Sequence, residues 1–190
     1  MNMSEKFADK LAKMQLISIG DKEIYSYGFK QGILLLLNAI TVIVVGLIFN
    51  MVWQTIIFMV AYSFIRGYAG GYHAKTPFIC YLFSIVMIIV VLWLIKSIPW
   101  NGFICFIIVL VSSILIFKLA PVEDSNKPLD QKEKVIFKKQ VNTNLSILIG
   151  CILFFWLIGG DQISIIIAVG IFMVAIMLAF GKIKNVRRKI

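Results

Sequence analysis

Six apolar runs decide what this chain can fold into. They cover about Gly32–Phe49, Met51–Ile65, Phe78–Ile95, Phe103–Leu119, Leu145–Ile158 and Ile163–Phe180. In hydrocarbon a segment of this kind must satisfy its backbone hydrogen bonds internally, which makes it a helix. Overall, 61% of the 190 residues are hydrophobic, where a soluble domain is nearer to half. Lipid therefore stands in for the usual buried core. The chain is long enough for one bundle of several spans and little else. Three runs span comfortably, whereas Met51–Ile65, Phe103–Leu119 and Leu145–Ile158 are short enough to be thin or re-entrant.

Charge arbitrates between these possibilities. If all six runs cross, the connections at 50–52, 96–102 and 159–162 face one side and hold one basic residue, Lys96. The N-terminal segment and the connections at 66–77, 118–144 and 181–190 face the other side and hold the remaining eighteen. Lysine and arginine are retained on the cytoplasmic side. The expectation is an all-α, polytopic membrane helix bundle of about six transmembrane helices, multi-pass in the cell membrane, with both termini cytoplasmic. The net charge of +10 is then topological, and a nucleic-acid partner is not expected. The first thirty residues carry lysines and no apolar run of signal-peptide type, so no cleaved signal is expected.

Two domain-level segments are expected. Residues 1–30 form an N-terminal amphipathic interfacial segment, and residues 31–190 form a single membrane-embedded domain. Within the first, residues 4–18 read as a helix with Ser4 at its N-cap. Phe7, Leu11 and Met14 share one face, and Lys6, Asp9, Lys10 and Lys13 the other. This helix anchors the chain or grips a substrate. The long connection 118–144 is turn-rich between Pro121 and Pro128, with a short cytoplasmic helix expected over Gln131–Gln140.

The chemistry concentrates in a second, glycine-rich connection at 66–80, which runs from Arg66 through Gly67, Gly70, Gly71 and His73 to Cys80. His73 is the only histidine, and Cys80 is one of three cysteines. Thr76-Pro77 reads as a helix start with Thr76 as the cap. Cys80 then falls near the end of the first turn, where the partial positive charge of the helix terminus favours a thiolate. His73 is the one imidazole able to act as its base. The glycines at 67, 70 and 71 permit turns that would bring the two together. Glu123, Asp124 and Asn126 lie on the same side as possible partners of the imidazole. Cys105 and Cys151 read as ordinary span residues. Arg66 is either an interfacial anchor or a clamp for a substrate carboxylate, and Lys127 carries the same two readings. One histidine and sparse carboxylates suit neither a metal site nor a cofactor.

The pattern Arg66, Gly70-Gly71, His73-Ala74, Cys80, together with Pro121-Val122-Glu123-Asp124-Ser125-Asn126-Lys127-Pro128, resembles the accessory gene regulator B family. These are membrane-embedded cysteine endopeptidases of Gram-positive quorum-sensing systems. The resemblance implies that Cys80 is the nucleophile and His73 the general base, with Arg66, Gly70, Gly71 and Lys127 in substrate-binding or supporting roles. It implies a cytoplasmic catalytic loop at 66–80, a small precursor signal peptide (AgrD-like) as substrate, and homodimers in the lipid bilayer. The precursor would lose its C-terminal part through a Cys80 thioester. It would then be cyclised to a thiolactone or lactone signal. The alternative is a peptide exporter without proteolytic activity, and a further rival is an adaptor in which His73 and Cys80 are incidental. Against export, no acidic residue lies inside any run, and intramembrane ionisable residues usually mark transport paths.

Overall fold

A computed structural model describes residues 3–71, 76–123 and 129–187. The fold is a helical bundle. Seven helices follow in order among the described residues: α1 (Met3–Lys13), α2 (Lys22–Ile48), α3 (Val52–Ala69), α4 (Pro77–Ser97), α5 (Gly102–Leu119), α6 (Gln131–Leu157) and α7 (Asp161–Arg187). Five of them, α2, α4, α5, α6 and α7, are long and apolar enough to cross a membrane. The sixth long helix, α3, matches α5 in length at 18 residues. It carries Gln54, Thr55, Tyr62, Ser63 and Arg66, which dilute its hydropathy. Each of the six apolar runs thus corresponds to one helix, with Phe49, Met51 and Ile158 falling just outside the helix ends.

Helix ends differ from the apolar runs where polar residues continue the same turn pattern. The helix expected over Gln131–Gln140 is not separate but forms the first third of α6, which runs unbroken for 27 residues, roughly 40 Å at the α-helical rise. Asp130 starts it with a full capping box, its side chain and that of Glu133 satisfying each other's backbone N–H. The short run Leu145–Ile158 is therefore the apolar part of a long helix. At the other end of the chain, Ser4 is not a cap, because α1 already begins at Met3. The apolar face of α1 stays largely open, with Phe7 and, just past the helix end, Met14 exposed. The Phe7 ring nevertheless stacks on Phe29 of α2 at 4.1 Å, Ala8 is buried, and Asp9 pairs with Lys22 at 2.7 Å.

The bundle is arranged around α7. Of the apolar stretch of α7, 67% is buried, against 17–28% for the other four candidate spans. A helix that is apolar all round belongs in the middle. Ile167, Ile171, Val174 and Leu178 of α7 pack with Ile65 of α3, Ile116 of α5 and Val141 of α6 in one core. Ile166, Val169 and Met173 pack with Phe58 of α3, Val91 of α4 and Val45 of α2 in a second. Helix α3 contributes to both. Its Ala61 meets Gly170 so closely that a Cβ on the glycine would lie 3.3 Å from the alanine methyl. Such small residues let helices approach in lipid.

The connections alternate between the two ends of the bundle. At one end Gly70 pairs with Val122, and Asn185 near the end of α7 donates to the Glu123 carbonyl. At the other, Asn50, Gln54, Lys96, Trp100 and Gln162 border one cavity. All four tryptophans (Trp53, Trp93, Trp100 and Trp156) sit within about a turn and a half of a helix end on this second side. The described tyrosines lie towards the first, a distribution expected of aromatic residues at two water–lipid boundaries.

Candidate active site

The site begins in the last turn of α3. Arg66 Nε donates to the Tyr62 hydroxyl one turn earlier, at 3.2 Å. Gly67, expected to loosen this segment, is helical, and a Cβ there would meet open space. The turn starts instead at Gly70 and Gly71, whose φ angles are +69° and +119°. Val122 N–H donates to the Ala69 carbonyl at 2.9 Å, and Gly71 N–H donates to the Val122 carbonyl at 3.2 Å. A Cβ on Gly70 would overlap the Val122 carbonyl oxygen. One on Gly71 would come within 3.0 Å of both Arg66 Nη1 and the Met177 carbonyl oxygen. The glycine pair therefore acts through its backbone, turning the chain sharply against the 120–123 segment and under Arg66.

The chain re-enters the bundle at α4 as the sequence implies. Thr76 Oγ1 accepts from Ile79 N–H at 3.3 Å, Pro77 takes the first helical position, and Cys80 N–H donates to the Thr76 carbonyl at 3.1 Å. Cys80 is exposed and free, whereas Cys105 is buried in α5 and Cys151 half-buried in α6, as ordinary span residues would be. Ser84 Oγ donates to the Cys80 carbonyl at 3.0 Å. His73 and Lys127 lie outside the described residues, as do Asp124 and Asn126. Glu123 is placed, and its carboxylate is engaged in holding the loop. One oxygen lies 2.6 Å from Lys134 Nζ of α6, and the other accepts from Leu129 N–H at 3.3 Å.

Arg66 and Cys80 meet on the wall of one cavity of about 510 Å³, within the size range of small-ligand and peptide-side-chain sites. Sequence reasoning had not found the rest of its polar lining: Asn38 of α2, Tyr62 and Ser63 of α3, and Ser84 of α4. The signal was present in part, since Asn38 interrupts an otherwise apolar run, and polar residues inside spans seldom face lipid. The spacing helps too, because Tyr62 is four residues before Arg66 and Ser84 four after Cys80, one face of each helix. Met59, Phe83, Met87, Ile88 and Met177 supply the apolar part of the wall. An accessible thiol, a guanidinium and an apolar floor suit covalent chemistry on an acyl group held in a largely apolar segment. Among the described residues no group of three histidine, cysteine or acidic side chains could hold a metal ion.

Known proteins with similar sequences identify the family. Residues 4–178 match the family Accessory gene regulator B. A putative AgrB-like protein 2 of Clostridium perfringens is 32% identical over 140 residues, covering 70% of this chain and 65% of the relative. Protein FsrB of Enterococcus faecalis is 32% identical over 123 residues, 63% of this chain and half of its own length. Accessory gene regulator protein B of Staphylococcus intermedius is 27% identical over 132 residues, 70% of each chain. The matched stretch thus spans slightly less than two thirds of the Clostridium relative's own length. No solved structure matches the chain. The match takes in every residue that lines the cavity and the whole of the glycine-rich connection, and the chain belongs to the accessory gene regulator B family.

Proposed function

We propose that this protein is a membrane-embedded cysteine endopeptidase that converts a small precursor peptide into a cyclic quorum-sensing signal. The observation that carries this reading is the position of Cys80: an exposed thiol in the first turns of a capped helix, sharing a cavity with Arg66. Buried structural cysteines lack that access.

The Cys80 sulfur attacks a backbone carbonyl of the precursor, and His73 takes the thiol proton. The C–N bond then breaks, and His73 passes the proton to the leaving amine of the C-terminal fragment. The N-terminal part remains as a thioester on Cys80. A thiol or hydroxyl within that same peptide attacks the thioester carbonyl, closing a thiolactone or lactone ring and returning the proton to the Cys80 sulfur. Exchange between thioesters is close to balanced in energy, whereas hydrolysis would waste the activated acyl group, so the apolar cavity wall serves by keeping water out. Arg66 and Lys127 act as counter-ions for carboxylates of the precursor.

In this reading the Cys80 end of the bundle faces the cytoplasm of a Gram-positive cell, because eighteen of nineteen basic residues fall in the segments assigned to it. The protein works as a homodimer. The test is capture of the acyl-enzyme. The purified protein in nanodiscs is mixed with a synthetic AgrD-like precursor peptide, and intact mass spectrometry follows a hydroxylamine-labile adduct. The adduct forms in wild type, is absent in Cys80→Ala and is strongly reduced in His73→Ala. Turnover of the peptide unaffected by either substitution would sink the peptidase reading and leave export to be tested in sealed vesicles.

A further inference from the structure

The cavity beside Cys80 contains a polar group that the peptidase reading does not use. Asn38 lies midway along α2, in the run Leu34-Leu35-Leu36-Leu37-Asn38-Ala39-Ile40. It faces the cavity with Leu35 and Ala39, the i−3 and i+1 positions of one helix face. Its Oδ1 is buried and has no hydrogen-bond partner. An unpaired buried acceptor is costly, and in native proteins it usually awaits a ligand or water. The position of Asn38 relative to Cys80 is fixed by a neighbouring contact. The Thr41 hydroxyl on α2 lies 2.6 Å from the Tyr81 hydroxyl on α4. Asn38 is one turn before Thr41, and Cys80 is the residue before Tyr81. The contact therefore holds the two helices together at the level where Asn38 and Cys80 border the same cavity.

We infer that Asn38 forms a subsite for the backbone of the substrate next to the scissile bond, on the α2 side of the cavity. This inference rests on the peptidase reading. A carboxamide offers one acceptor and two donors, and one edge of it matches a peptide group, its oxygen accepting the N–H while its nitrogen donates to the C=O. The wall also carries Met59, Phe83 and Met87, which are apolar and adaptable, beside the hydroxyls of Tyr62, Ser63 and Ser84. The class of substrate segment that fits is an extended stretch with apolar side chains and a free backbone N–H pointing at α2. In this largely apolar setting the contact holds the peptide backbone against the α2 wall. Asn38 is thus a substrate-binding residue, and its contribution shows in affinity rather than in the chemical step.

The experiment uses the full-length protein in nanodiscs with Cys80→Ala, so that binding is read without turnover. The probe is a synthetic AgrD-like precursor peptide, carrying a fluorophore and, in a series, a single N-methyl group at each backbone nitrogen near the cleavage point. Asn38→Leu is expected to weaken binding roughly fivefold to tenfold, the effect of one hydrogen bond, and Asn38→Gln to restore part of it. One N-methylated peptide should bind equally weakly to the Asn38 protein but lose nothing further against Asn38→Leu. In the active background, KM rises for Asn38→Leu while kcat changes little. If no N-methyl group weakens binding, or if the weakening persists at full size in Asn38→Leu, the subsite is wrong. The acyl-enzyme experiment decides the peptidase reading separately. A Cys80-dependent adduct alongside an indifferent Asn38 would overturn this inference alone.

Discussion

At the scale of single residues, the glycines of the 66–80 connection show how one residue type serves different ends. Gly70 needs its positive φ and the space beside the Val122 carbonyl. Gly67, three residues earlier, needs neither, since it is helical with open space around it. Gly70→Ala should therefore destabilise the protein by more than about 1 kcal/mol, combining left-handed strain with a backbone overlap, and processing should fall with it. Gly67→Ala should be neutral or stabilise by up to about 1 kcal/mol, the helix propensity difference. Thermal unfolding of the two variants in detergent, read side by side, checks the pair. Equal losses would mean that Gly67 carries a role beyond its backbone. Much of this was legible in the sequence. The cap at Thr76 and the placing of Cys80 follow from residue type and spacing, whereas the sequence does not separate Gly70 and Gly71, which turn, from Gly67, which is helical. The polar lining at Asn38, Ser63 and Ser84 was not, because a polar residue in an apolar run announces itself but not the direction it faces. That direction depends on the helical phase relative to neighbours, which only packing sets.

At the scale of elements, hydropathy locates where the chain crosses lipid but not where helices end. The 27 residues of α6 begin with a charged stretch that reads as a separate helix, because charge breaks the apolar run without breaking the helix. Lysine, glutamate and glutamine are good helix formers, and the next turns add a tertiary tie. Asn144 Nδ2 donates to the Phe64 carbonyl of α3, and Gln140 Nε2 donates to Asn144 Oδ1 at 3.1 Å. Helix α1 is held more lightly, by the Phe7–Phe29 stack and the Asp9–Lys22 pair. The hydrogen bond from Lys22, and then its charge, hold the Asp9 carboxyl below the usual carboxylate range. A carboxylate depressed in the folded state contributes at pH values above its unfolded pKa and loses that contribution as pH falls through the lowered folded value. Docking of α1 should therefore be indifferent to pH from neutrality down to the ordinary carboxylate range and loosen below it. Hydrogen exchange of residues 3–13 across that range should show the change in wild type and a flat profile in Lys22→Gln. The pair keeps about a third of its side-chain surface open to solvent, so the effect is small and screened by salt.

At the scale of the whole molecule, α7 joins two cores that would otherwise be separate packets of helices. One gathers α3, α5 and α6, the other α2, α3 and α4, and both close on opposite faces of α7. The cavity draws on α2, α3, α4 and Met177 of α7, so the position of Cys80 relative to Arg66 depends on α3 and α7 staying close. One close approach between them is Gly170 against Ala61. A leucine at 170 would force α3 away, an overpacking of the kind that costs about 1–3 kcal/mol, and because both cores share α3 the disturbance would reach each of them. Gly150 of α6 offers the contrast, since it is exposed and a Cβ there meets nothing within 4 Å. Gly170→Leu should lower the melting temperature and abolish processing, and it should change the rate at which a membrane-permeant maleimide labels Cys80, although position 170 lies far along the chain from the thiol. Gly150→Leu should leave melting and labelling as in wild type. Labelling unchanged in Gly170→Leu despite a lowered melting temperature would show that the α3–α4 side of the cavity holds its shape without α7. The pillar would then matter for stability but not for the site.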